Sequence, residues 1–233
     1  MGAVGIIGAM EEEIALLKDS AEILTAKNVL GLDFYIANLC GKNAVLVRSG
    51  IGKVNAAVCT QVLIDHFAVD CVINVGVAGG LYKDLRIGDI VISSDAVQHD
   101  MDASAVGDPI GTIPRMEESF FKADAALIEA ARKAGEGIDG ANIYVGRIAS
   151  GDQFIADRDR KNRIIKLFNA YCAEMEGAAV AHTCYLNRIP FVVIRSISDN
   201  ANGEAGMDFA EFSKHAALNS ARIVEAMVKE LQI

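Results

Sequence analysis

The run Cys71-Val72-Ile73-Asn74-Val75-Gly76-Val77-Ala78-Gly79-Gly80 decides the architecture. Residues Cys71–Val77 are almost wholly apolar and rich in Val and Ile, the signature of a strand covered on both faces, and they run into glycines that let the chain turn. Similar runs stand at Ala3–Gly8, Asp89–Val97, Ile143–Ala149 and Phe191–Ser198. Between them lie helical patterns at Met10–Asp19, Lys53–Phe67, Ala123–Ala134, Asp157–Phe168, Glu176–Leu186 and Phe209–Leu231. In Lys53–Phe67 the apolar residues Val54, Ala57, Val58, Val62 and Leu63 have the spacing of a one-sided helix. Phe34–Leu39 and Ala44–Arg48 flank Gly41-Lys42-Asn43 as a hairpin, and Tyr171–Glu174 reads as a short strand. Residues His99–Phe121, with Gly107, Pro109, Gly111 and Pro114, show no period and read as a long loop, usually a functional feature in a compact domain. Strands alternating with helices predict an α/β fold, its sheet covered on both faces. Three prolines, no internal repeat and no shift of composition leave no linker, so residues 1–233 read as one domain.

Apolar residues make up 52% of the 233 and charged residues 23%, which excludes a disordered chain. Lys and Arg number 22 against 31 Asp and Glu, a net charge of −9, the wrong sign for a nucleic-acid partner. The basic cluster Arg158–Arg163 is interleaved with Asp159 and Asn162 and reads as a solvated helix face. The five cysteines (Cys40, Cys59, Cys71, Cys172, Cys184) are scattered and odd in number, as expected of buried free thiols in a reducing compartment. No basic residue precedes Lys18, so the apolar start has no signal-peptide n-region. The longest apolar stretch, Cys71–Leu81, is too short to span a membrane. A cytoplasmic protein with no membrane partner is expected.

In α/β sheets ligands sit beyond the carboxyl ends of the strands. Polar residues gather there in Gly8-Ala9-Met10-Glu11-Glu12-Glu13, in Ala173-Glu174-Met175-Glu176-Gly177 and in Arg195-Ser196-Ile197-Ser198-Asp199-Asn200. An acid in the first turn of a helix also favours the helix dipole with no catalytic role. Taken together, Glu13, Glu176, Arg195 and Asp199 share one sheet edge, which is how an acid/base site is assembled. Ser49-Gly50-Ile51-Gly52-Lys53-Val54 looks like a phosphate loop but has Val47 in place of a glycine and no magnesium ligand at Val54. Gly5-Ile6-Ile7-Gly8 lacks the third glycine of a dinucleotide fingerprint, and three glutamates follow it. His99-Asp100-Met101-Asp102 suggests a metal, yet His66, His182 and His215 lie in separate segments, so no metal is expected.

Gly5-Ile6-Ile7-Gly8-Ala9-Met10-Glu11-Glu12-Glu13, Ser49-Gly50-Ile51-Gly52-Lys53, Ser150-Gly151-Asp152-Gln153-Phe154-Ile155, Glu174-Met175-Glu176 and Ser196-Ile197-Ser198-Asp199 resemble, in order and over nearly the whole chain, the bacterial 5'-methylthioadenosine/S-adenosylhomocysteine nucleosidases. The resemblance implies a three-layer nucleoside phosphorylase-like sandwich, a central mixed sheet flanked by helices, acting as a homodimer. It implies hydrolysis of an N-ribosidic bond of an adenine nucleoside, in methionine salvage and removal of the methyl-cycle product, with no cofactor or metal. By that resemblance Asp199 protonates N7 of the base, beside Ser198, and Glu13 activates the attacking water, the division of labour of an inverting glycosidase. Glu176 holds the ribose 2'-hydroxyl beside the backbone of Met175. Phe154 stacks on adenine, and the Ile155 backbone reads its Watson–Crick edge; for Phe154 ordinary core packing is the other role. Arg195 supports the water-side carboxylate, or serves as a charge partner of Glu174 or Glu176. Met10, Ile51, Met175 and Phe209 match walls around the ribose and 5'-substituent, with core packing as their alternative.

Two departures stand out. Val77 replaces a hydroxyl residue of better-known members, removing one hydrogen bond worth about 1 kcal/mol. Val106 and Asp108 replace aromatics of the loop, shared with Pro114, that reaches the 5'-tail from the neighbouring subunit. They leave methylthio, homocysteinyl, 5'-deoxy and other tails open. A phosphorylase of the same fold and a non-catalytic nucleoside-binding protein are the rivals. The first would place phosphate beside Glu11, Glu12 and Glu13, and the second has no need of both Glu13 and Asp199.

Overall fold

A computed structural model describes residues 2–199 and 205–231, within which 205–216 are described as backbone only. Its elements are β1 (Val4–Gly8), α1 (Glu11–Ser20), β2 (Glu22–Val29), β3 (Leu32–Leu39), β4 (Lys42–Arg48), α2 (Lys53–Phe67), β5 (Cys71–Gly80), β6 (Ile90–Gln98), β7 (Phe120–Lys122), α3 (Ala125–Gly135), β8 (Ile143–Ser150), α4 (Arg158–Phe168), β9 (Cys172–Glu174), α5 (Gly177–Asn187), β10 (Phe191–Asp199) and α6 (Ala205–Glu230). The strands form one mixed sheet in the order β10-β6-β8-β9-β5-β1-β4-β3-β2, with β7 on β6. Because β10 also pairs with β5, the five strands β5, β10, β6, β8 and β9 close on themselves, and β1-β4-β3-β2 extends from them as a wing.

Alternation along the buried strands builds the layers. Ile7, Val72 and Val193 pack with Ala56, Cys59 and Leu63 of α2 and Ala178, Ala181 and Cys184 of α5. Their neighbours Ile6, Ile73 and Val192 face the other way, against Ile14 and Leu17 of α1, Leu127 and Ala131 of α3, and Ile223, Val224 and Met227 of α6. Helices therefore cover both faces of the sheet, as expected.

One detail of the pairing prepares the site. β10 occupies one edge of β5 from Val72 to Gly79. On the other edge β1 pairs only with Cys71–Asn74, and β9 only with Gly79 and Gly80. Backbone groups between Asn74 and Gly79 on that edge are left to side chains.

The structure corrects four expectations. β2, unforeseen, pairs with β3 through a turn at Leu30 and Gly31, whose φ values of +53° and +79° suit a two-residue hairpin. The buried face of α2 is formed by Ala56, Cys59, Thr60, Val62 and Leu63, whereas Val54 is 74% exposed and Val58 41%. Cys40 is exposed at the β3–β4 turn, while the other four thiols are free and buried. The segment read as a loop from His99 contains a short 3-10 turn at Ser104–Val106 and ends in β7. Among the described residues no helix is long and apolar enough to cross a membrane.

Candidate active site

A cavity of about 230 Å³ opens at the carboxyl ends of β1, β5, β9 and β10. Of the residues expected from sequence, Met10, Glu13, Ile51, Val77, Phe154, Ile155, Met175, Glu176, Ser198 and Asp199 all border it. Glu13 and Asp199 thus face one shared space, each almost wholly buried.

Glu13 is placed by the start of α1 and by the vacant edge of β5. Its Oε2 accepts from the backbone N–H of Ala9 (2.7 Å) and Met10 (3.0 Å), so the side chain closes the end of its own helix. Its Oε1 accepts from the N–H of Val77 (3.1 Å), which lies between the stretches of β5 paired by β1 and β9. Burial pushes the Glu13 carboxyl up, against the lowering effect of Arg195 and these three N–H donors. Two glycines make room for it. A Cβ on Gly76 would lie 2.5 Å from Glu13 Oε1, and one on Gly8 would lie 3.1 Å from Glu13 Cβ.

Asp199 ends β10 at a bulge, where the register with β5 shifts between Ile197 and Asp199. Such a bulge re-aims side chains, here at the cavity. Ser198 Oγ lies 3.1 Å from Asp199 Oδ2 and 3.4 Å from the carbonyl of Ala78, so its one proton serves one or the other. Lys161 of α4 is near enough for Asp199 to raise its ammonium, though burial lowers it more.

Glu176 caps the cavity from the start of α5, and its Oε1 accepts from the N–H of Gly52 at 2.8 Å. Gly52 has φ +98°, a conformation that suits glycine. The phosphate-loop look-alike is therefore a turn that offers an N–H to a carboxylate. Burial, then the charge of Glu174, pushes Glu176 up to about 7.

Arg195 does not border the cavity. It lies beneath it, 1% exposed, and its Nε (3.1 Å) and Nη2 donate to Glu174 Oε2, so of its two open roles the ion pair with Glu174 is the one seen. Arg195 Nη2 also donates to Asn74 Oδ1 (2.6 Å), and Asn74 Nδ2 to the carbonyl of Ile7 (2.9 Å). Glu174 further accepts from Ser150 Oγ and from the N–H of Gly177 (2.8 Å). This buried frame, and the presence of Glu174 in the cavity wall, escaped sequence reasoning, since nothing in a single chain tells which of two neighbouring glutamates the arginine takes. Val106 is 81% exposed and Pro114 is exposed; neither borders the cavity of its own chain. The side chain of Phe209 lies outside the described residues. Among the described residues no group of three or more His, Cys, Asp or Glu side chains is placed to hold a metal ion. Asp100 is instead engaged by Lys53 (2.7 Å), and Asp102 by Ser104.

The sequence pattern of the phosphorylase superfamily matches residues 3–229. The chain belongs to that superfamily. Its relatives within the superfamily include nucleosidases. It is 44% identical over 229 residues to the 5'-methylthioadenosine/S-adenosylhomocysteine nucleosidase of Shewanella piezotolerans, covering 98% of this chain and 99% of that one. The crystal structure of the Neisseria meningitidis nucleosidase of the same name, in complex with methylthio-immucillin-A, is 45% identical and superposes with a TM-score of 0.95 over 99% of this chain and 100% of that one. The futalosine hydrolase of Helicobacter pylori superposes with a TM-score of 0.94 at 37% identity, over 99% of this chain and 98% of that one. This superfamily fold is the nucleoside phosphorylase-like sandwich expected from sequence.

Proposed function

We propose that this chain hydrolyses the N-glycosidic bond of 5'-methylthioadenosine and S-adenosylhomocysteine, and also of 5'-deoxyadenosine, releasing adenine and the 5-substituted ribose. The observation that carries this reading is the pair of buried carboxyl groups, Glu13 and Asp199, on one cavity of nucleoside size. Cleavage of C1'–N9 leaves positive charge on the ribose and negative charge on the base. Asp199, protonated, gives its proton to N7 and neutralises the departing base. Glu13, whose ionised form its three N–H donors and Arg195 favour and burial opposes, takes a proton from water as the oxygen bonds to C1'. Glu176 accepts the 2'-hydroxyl beside the Met175 backbone, Phe154 stacks on the base and the Ile155 backbone reads its edge, with Met10 and Ile51 along the ribose and 5'-group. Arg195 acts through Glu174, which it fixes, and through the field that lowers Glu13.

Charge favours water over phosphate as the acceptor. Three buried carboxylates, Glu13, Glu174 and Glu176, stand at the ribose end, and the arginine beneath them is committed to Glu174. A phosphate dianion would enter against them, and among the described residues that line the cavity there is no Lys or Arg to receive it. Homodimerisation and a cytoplasmic location belong to the same reading. Ile51, Val54 and Val58 form an exposed apolar strip at the start of α2, beside the cavity mouth, where a second subunit would cover them and bring its Val106 and Pro114 loop to the 5'-end. The test is base release in phosphate-free buffer from methylthioadenosine, adenosylhomocysteine, 5'-deoxyadenosine, adenosine, inosine and futalosine. Adenine release from the first three supports the reading. Strict dependence on phosphate, or tight binding with no turnover, overturns it.

A further inference from the structure

Two motifs set aside as false signals, the phosphate-loop look-alike that contains Lys53 and the metal-like His99-Asp100-Met101-Asp102, meet a third segment, Ser150-Gly151-Asp152. The Lys53 N–H donates to Asp152 Oδ1 (2.8 Å), the Asp152 N–H donates to Asp100 Oδ2 (2.9 Å), and Lys53 Nζ donates to Asp100 Oδ1 (2.7 Å). Lys53 and Asp152 each contribute a backbone N–H and a side chain, so the ring closes on itself. Lys53 Nζ also reaches Gln98 Oε1 at 3.1 Å. The Lys53 and Asp100 side chains are 18% and 15% exposed, sheltered enough for the pair to be weakly screened.

The position of this ring gives it a task. Lys53 follows Gly52, whose N–H holds Glu176, so one side of the ring is continuous with the ribose wall. Asp152 precedes Phe154 and Ile155 by two and three residues, so the other side is continuous with the base wall. Packing holds that second wall at one point, Ile155, which is buried in a cluster with Leu81, Ile164 and Phe168. Gln153 and Ile155 border the nucleoside cavity on one face and a second cavity of about 280 Å³ on the other, and Phe154 is 53% exposed. With a void on each side, the stretch before Ile155 takes its position from the bonds at Asp152. Burial would raise the Asp100 carboxyl, but Lys53 and the Asp152 N–H outweigh it and hold it below the usual range, consistent with an ionised partner in the ring.

We propose that Lys53, Asp100 and Asp152 form a positioning latch that sets the base-stacking loop 151–155 at a fixed distance from the ribose wall. None of the three borders the nucleoside cavity, and they couple recognition of the base to recognition of the sugar. The proposal rests on the reading of the first cavity as a nucleoside site.

The test uses the full chain with Asp152→Ala, its conservative counterpart Asp152→Asn, Asp100→Asn, and the double variant of Asp152→Ala with Asp100→Asn. Asp152 is exposed, so its substitution spares the core. Amide exchange in 151–157 is expected to quicken at least about tenfold in Asp152→Ala and to stay near wild type in Asp152→Asn, which keeps the accepting oxygen. The KM for methylthioadenosine is expected to rise about tenfold in Asp152→Ala while kcat changes less than about threefold, and the double variant adds little to either single change. Unchanged exchange in 151–157 overturns the latch whether or not the chain is a nucleosidase. Quickened exchange with an unchanged KM, or additive single effects, overturns its role in recognition. Absence of base release by the wild-type chain overturns the nucleoside reading instead, and exchange then still decides the latch.

Discussion

Replacing Gly76 by alanine tests how closely the reaction depends on the placement of Glu13. The residue lies in the middle of β5 at an ordinary φ, so an alanine there strains no backbone. Its Cβ would come to 2.5 Å from Glu13 Oε1 and 3.0 Å from Glu13 Cδ, about 0.9 Å short of the 3.4 Å at which ordinary contact begins. The carboxylate cannot retreat by that much and keep donors at 2.7, 3.0 and 3.1 Å from Ala9, Met10 and Val77. A misplacement near 1 Å costs about 10²-fold in rate, or about 2.7 kcal/mol of barrier. The expected result is a kcat for adenine release from methylthioadenosine lower by about 10²-fold, with KM within about threefold, because Glu176, Phe154 and Ile155 are untouched. Overpacking also costs about 1–3 kcal/mol of stability, so thermal unfolding should show a lowered but single transition, well above the assay temperature. A folded Gly76→Ala protein with kcat within about threefold of wild type would refute the assignment of Glu13 as the base.

Further outcomes follow from the same geometry. Glu13→Gln is expected to lose about 10²–10⁴-fold in kcat, and since all three of its partners are donors, its new NH₂ must face an N–H, which melting curves should register as a loss of about 1–3 kcal/mol. Asp199→Asn is expected to lose about 10²–10⁴-fold in kcat while still binding substrate, measured by calorimetry beside turnover. Glu176 has its folded value raised to about 7, so the stability gained from its protonated form is present at low pH and is lost as pH rises through about 7; Glu176→Gln should therefore melt a few degrees higher than wild type at pH 8, and about equally at pH 5. Activity runs the opposite way, because Glu176 and Glu13 must be ionised: kcat/KM should fall as pH drops below about 7, with that limb altered in Glu176→Gln. Val54→Asp, at a position 74% exposed, is expected to halve the mass measured by light scattering; an unchanged mass would remove the α2 strip from the subunit interface.

The inner strands were legible because Val and Ile must face apolar helices on both sides of them, and Cys71–Gly80 is such a run. β2 was not, because its residues Glu22–Asn28 are all exposed and nothing selects an alternating pattern. On α2 the apolar count misled: Val54 and Val58 point away from the core, and Ala56, Cys59 and Thr60 fill it. Glu13, Glu176 and Asp199 could be read because each closes a strand end where α/β proteins place ligands. Arg195 was only half legible, for its choice of Glu174 depends on Asn74, 121 residues away in the chain, and on Ser150, which fixes the other oxygen of Glu174. The ring of Lys53, Asp100 and Asp152 was hidden for the same reason, its members being brought together only by the pairing of β6 with β8 and the start of α2 beside them.

On the proposed reading a carboxylate-activated water, and no other nucleophile, attacks C1' of the nucleoside. Turnover of methylthioadenosine in phosphate-free H₂¹⁸O, followed by mass spectrometry of the sugar, tests it most directly. One ¹⁸O at C1 of methylthioribose from the first turnover, formed by the wild-type chain and slowed about 10²-fold or more in Glu13→Gln, is the predicted result. A sugar 1-phosphate formed only when phosphate is supplied, or labelled product released as fast by Glu13→Gln as by wild type, would contradict it.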